Sequence, residues 1–147
     1  MNKVLLTLLL LCSANALSCA PLPEQMYLPF TLNEYYDKKR EPVKPIITAS
    51  LDRAKTFVPT CLQPSYLSFK IENASSNPKA GYVFKVHSST IADFAISEEE
   101  IVPDGKTISF TILENKYHFG KPLEIKMEIY AILPNGKKSE SMFLEIH

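Results

Sequence analysis

From Tyr66 onward, apolar and polar residues alternate again and again, the period of strands with one buried face. Leu67, Phe69 and Ile71 alternate with Ser68, Lys70 and Glu72, and Tyr82, Phe84 and Val86 with Val83, Lys85 and His87. Phe94 and Ile96 predict a short strand ahead of the acidic turn Glu98-Glu99-Glu100, and Ile108, Phe110 and Ile112 form the next apolar face. The clearest pattern is Leu123, Ile125, Met127, Ile129, Ala131 and Leu133, set against Glu124, Lys126, Glu128 and Tyr130. Slipping that strand by one residue would bury its charges, so its register is firmly specified. Met142, Leu144 and Ile146 give a returning strand.

Turn chemistry separates these runs. Asn73 to Gly81 is rich in Ser and Asn, Pro103-Asp104-Gly105-Lys106 combines a preset φ with a glycine, and Pro134-Asn135-Gly136-Lys137 is a hairpin turn that accepts positive φ. Asn115 to Lys121 reads as a loop. Six or seven short strands at this spacing, with no amphipathic helix, predict an all-β fold: a two-sheet antiparallel β-sandwich. The chain would end on an edge strand, guarded by Lys137, Lys138 and Glu140 against pairing with other chains.

The residues before Tyr66 differ. Ala20 to Pro64 holds seven of the eleven prolines and no glycine, which disfavours long helices and central strands. It reads as an extended arm that lies over the sandwich, with an edge strand at Ile46 to Leu51 and a charged turn at Asp37-Lys38-Lys39-Arg40-Glu41. Tyr27, Phe30, Tyr35 and Tyr36 crowd the arm, and docking it on the sandwich is their expected role, with a ligand platform as the alternative.

Met1 to Ala16 has the form of a secretory signal: Lys3, an apolar run from Val4 to Cys12, then Ser13-Ala14-Asn15-Ala16 with small residues at the cleavage positions. The run is far shorter than the about 20 residues a membrane-crossing helix needs, and no transmembrane segment is expected. The expected divisions are therefore a signal peptide over 1–16, a Pro-rich arm over 17–44 and the sandwich over 45–147. Export places the mature chain in the periplasm or outside the cell. With Cys12 removed, Cys19 and Cys61 form an even pair in an oxidising compartment, and a disulfide between them is expected. The alternative is lipidation at Cys19, since Ala16-Leu17-Ser18-Cys19 is a partial lipobox, and it would give a membrane-anchored lipoprotein of the same fold.

Lys and Arg total 16 and Asp and Glu total 16, which leaves the mature chain near −1 and argues against a nucleic-acid partner. No glycine-rich phosphate loop occurs. His87, His118 and His147 lie about 30 residues apart without metal-ligand spacing, so no metal is expected. Ser88-Ser89-Thr90 has no base beside it, and Glu98-Glu99-Glu100 lacks the spacing of a calcium loop. Catalysis or ligand binding would need at least two of His87, His118, Glu98 and Asp104 to converge. Asn73-Ala74-Ser75 fits a glycosylation sequon. No catalytic residue and no cofactor are expected.

The segment from Ile125 to Ser141, with its alternating aliphatics, Asn-Gly turn and following serine, resembles the last hairpin of fibronectin type III-like and immunoglobulin-like domains. Ile125 stands where the family usually carries a corner tyrosine, and the tryptophan of an early strand is absent, as the chain has none. The resemblance implies a sandwich fold and a role in contacts between proteins. The resulting expectation is an exported, non-enzymatic binding or accessory protein with an unidentified protein partner. A small-ligand or carbohydrate-binding module is the second alternative.

Overall fold

The computed structural model describes residues 27–56, 63–91, 94, 96–114 and 117–147. Eight strands are present among them: β1 (Leu28–Pro29), β2 (Ile47–Asp52), β3 (Gln63–Ile71), β4 (Gly81–Ser89), β5 (Ile101–Val102), β6 (Thr107–Glu114), β7 (Ile125–Ile132) and β8 (Met142–Ile146). A single 3₁₀ turn, Ala74–Ser76, interrupts them. One antiparallel sheet has the order β1-β5-β4-β7-β8, the other β2-β3-β6, and together they form the predicted β-sandwich.

The alternation fixes what lies between the sheets. Leu67, Phe69 and Ile71 on β3 and Ile108, Phe110 and Ile112 on β6 face Tyr82 and Phe84 on β4 and Ile125, Met127, Ile129 and Ala131 on β7, all buried. The rings of Phe69 and Phe84 meet across the sheets at 4.8 Å, and Phe84 meets Phe110 edge-on at 5.2 Å. Such pairs add about 0.5–1.5 kcal/mol each beyond the area they bury. Both predicted glycine turns hold: Gly105 and Gly136 have φ of 67° and 82°, and the Gly136 N–H donates to the Leu133 carbonyl at 2.8 Å.

One predicted strand is corrected. Phe94 and Ile96 lie outside every strand, and the ladder forms instead at Ile101–Val102, after the acidic run. The two apolar side chains gain their burial by packing on the core, which requires no backbone ladder. β5 pairs where it does because it is held between β4, through Tyr82 with Ile101, and the arm's β1, through Leu28 with Val102.

The arm thus contributes a strand, and it is clamped along its length by three asparagines from the turns. Asn135 Nδ2 donates to the carbonyls of Asp37 and Arg40 at 2.9 and 3.0 Å. Asn77, itself buried, accepts from the Val43 N–H and donates to the Val43 carbonyl, and Asn73 binds Ile46 N–H and Lys44 C=O in the same manner. A side-chain amide carries a donor and an acceptor, so it can replace the ladder partner that an irregular segment lacks.

Candidate functional site

A recess of about 860 Å³ opens between the arm and the β7–β8 turn. Phe30, Leu32, Tyr35 and Tyr36 supply one side, and Pro134 and Gly136 the other. The arm reaches this position because the Asn33 N–H donates to the Pro134 carbonyl at 2.7 Å, and the Asn33 carbonyl and side chain turn the chain by accepting from Tyr36 and Tyr35 N–H. A Lys137–Glu41 ion pair also ties the arm to this turn. Phe30 lies over Gly81, where a Cβ would stand 2.8 Å from its ring, so only glycine admits the arm this closely.

The four arm aromatics divide. Tyr27 packs on Phe110 and donates to the Ser109 carbonyl, and Tyr36 donates to the Pro78 carbonyl, so both dock the arm as expected. Tyr35 does not dock: it is 90% exposed, and Leu32 beside it is 66% exposed. Contrary to the expectation that it docks with the other arm aromatics, Tyr35 projects beside Leu32 at the rim of the recess. Nothing in the sequence separates a docking aromatic from a projecting one.

A second cluster, unforeseen in the sequence, lies at the opposite end of the sandwich. Glu114 ends β6 on its inward face and is 1% exposed. Arg53 donates to both of its oxygens, and Ser65 Oγ donates to one. Burial pushes the Glu114 carboxyl up, but the bonds from Arg53 and Ser65 outweigh it and hold the group below its ordinary value. Arg53 also binds the carbonyls of His118 and Lys121, fixing the loop before β7. The guanidinium spends its donors on the protein, which is the pattern of a structural tie.

Of the four candidate residues, His87 and Glu98 line one open recess of about 330 Å³ beside the β4 bulge, while His118 and Asp104 lie elsewhere. His87 stands at a bulge in β4, where the register with β7 shifts between Val86 and Ser88, and it pairs with Glu128 at 3.2 Å. His118 belongs to the loop held by Arg53, with Nδ1 buried and unpartnered among the described residues. Glu98 is exposed beyond β4, and Asp104 bridges Thr107 within its turn. Among the described residues, no three His, Cys, Asp or Glu side chains gather into a metal-binding group. No helix there is long and apolar enough to cross a membrane. Cys19, Cys61 and the signal segment lie outside the described residues.

Fold and site together define a two-sheet β-sandwich with a clamped N-terminal arm and an apolar recess at its hairpin end. No family model, curated protein or solved structure matches the chain.

Proposed function

We propose that this is an exported, non-enzymatic binding or accessory protein that engages a protein partner through the recess between the arm and the β7–β8 turn. The observation that carries the reading is the projection of Tyr35 and Leu32 from a rim of Phe30, Tyr36 and Pro134. Exposed tyrosine beside aliphatic surface is the composition of contact hot spots, because a rigid ring buries much area at small entropic cost. The signal-like residues 1–16 support export, to the periplasm or beyond the cell. The fibronectin type III-like or immunoglobulin-like assignment is part of the same proposal, supported by the Ile125 to Ser141 hairpin.

The test is a photo-crosslinking amino acid placed at Tyr35 in cells that export the protein. The reading expects one discrete crosslinked protein, lost when Leu32→Asp is added. It is refuted if Tyr35 yields no crosslink, or only those that the exposed Phe143 position also yields.

A further inference from the structure

The outer face of the three-stranded sheet carries a row of serines beside an exposed tyrosine. β2 pairs with β3 over six positions and β3 with β6 over eight, all without a register shift. Side chains on this face therefore form a regular grid, about 4.8 Å apart across strands and about 6.8 Å along them. Its middle row is Ser50, Ser68 and Ser109, and the row beside it is Asp52, Tyr66 and Thr111. Tyr66 sits on the central strand, 38% exposed, with its ring part of the surface.

Charge is nearly cancelled here. At one end Lys70 pairs with Glu72 at 3.0 Å, and Thr48 donates to the same carboxylate. The middle row is uncharged, with Ser68 and Ser109 hydrogen-bonded to each other at 2.8 Å. Asp52 on the edge strand is the one carboxylate beside Tyr66. A face that sets hydroxyls on one side of an exposed ring and Leu113 on the other complements a ligand that presents both hydroxyls and the apolar face of a ring. An acidic partner would find no unpaired cation among the described residues of this face, since Lys70 is held by Glu72, and an apolar partner would strip the hydroxyls of water without replacing their hydrogen bonds.

We propose that this face binds a neutral polysaccharide, with Tyr66 stacking on a pyranose ring and Ser50 and Asp52 hydrogen-bonding its hydroxyls. The surface is separate from the recess of Tyr35, so the two readings stand or fall independently.

The experiment is affinity electrophoresis of the full chain through gels containing glucomannan, laminarin, galactomannan or dextran, with polygalacturonate as the anionic comparator. At least one neutral gel should retard the wild type and polygalacturonate should not. The retardation should persist between about 0.05 and about 0.5 M salt, since screening weakens only charge attraction. Tyr66→Ala should weaken it about ten-fold, equivalent to about 1.4 kcal/mol of ring contact. Ser50→Arg, which sets a bulky cation on the edge strand, should weaken it as well, while Tyr66→Phe and Tyr35→Ala should retain it. Circular dichroism of each variant should match the wild type. The proposal is overturned if no neutral polysaccharide retards the protein, if Tyr66→Ala and Ser50→Arg, both folded, run as the wild type does, or if only the anionic gel retains it.

Discussion

Arg53 and Glu114, 61 residues apart in sequence, meet at one end of the sandwich as a two-point ion pair with the carboxylate almost fully buried. The pair joins the end of β2 to the end of β6, across the intervening β3, and Ser65 of β3 completes it. Three strands of one sheet and the loop before β7 thus share a single polar tie.

Removing one partner should cost far more than the pair itself contributes, because the other would be left buried and uncompensated. Arg53→Met is expected to destabilise the protein by about 3 kcal/mol, the low end for such pairs because part of Arg53 reaches solvent. Urea unfolding measures this, and an unchanged midpoint would mean that the tie has no role.

The same carboxylate makes stability depend on pH. Its pKa in the folded chain lies below the unfolded value, so the native state favours the ionised form. The contribution is complete above the unfolded pKa of about 4.3 and is lost as pH falls through the folded pKa. Thermal midpoints between neutral pH and about pH 3 should fall less steeply in Glu114→Gln than in the wild type. Parallel curves would assign the acid sensitivity to other groups.

Asn77 is buried and holds both sides of one arm residue, Val43. Asn77→Ala should cost about 1–3 kcal/mol through the two unsatisfied backbone groups. Hydrogen exchange should accelerate at the Val43 amide and its neighbours while the amides of β3 and β7 stay protected. Uniform acceleration across the core would instead indicate global destabilisation.

Gly81 is required by closeness, since a Cβ there would meet the Phe30 ring at 2.8 Å and the Glu100 Cβ at 2.9 Å. Gly81→Ala should therefore displace the arm and cost about 1–3 kcal/mol by overpacking. The Tyr35 crosslinking pattern would change with it. Wild-type stability and an unchanged pattern would show that the arm can shift freely.

Cys19 and Cys61 are proposed to form a disulfide. Closing a loop of about 40 residues is worth roughly 4 kcal/mol in the chain-entropy account. Intact mass of the exported protein should correspond to a chain starting at Leu17 and two hydrogens light. Diacylglyceryl on Cys19 would establish the lipoprotein alternative and sink the disulfide.

How much of this was legible in the sequence follows from the range of each interaction. The inward face of β7, from Ile125 to Ala131, was readable because side chains on a strand alternate by backbone geometry alone. Gly105 and Gly136 were readable because positive φ excludes most other residues. Phe94 and Ile96 misled because spacing reports burial, and burial on a core needs no ladder. Val83 was assigned to a polar face, yet it is buried, on the outer side of the sheet where Phe30 covers the neighbouring Gly81.

The sequence by itself determined the period of the strands, the faces that turn inward and the places where the chain reverses, since each depends on a few neighbouring residues. Tertiary structure alone decided which strands lie side by side, where the arm is clamped and why a carboxylate ends the inward face of β6. Asn135 reaches Asp37 across 98 residues, and Arg53 reaches Glu114 across 61. Contacts at that separation arise from packing the whole chain, and no local pattern of residues encodes them.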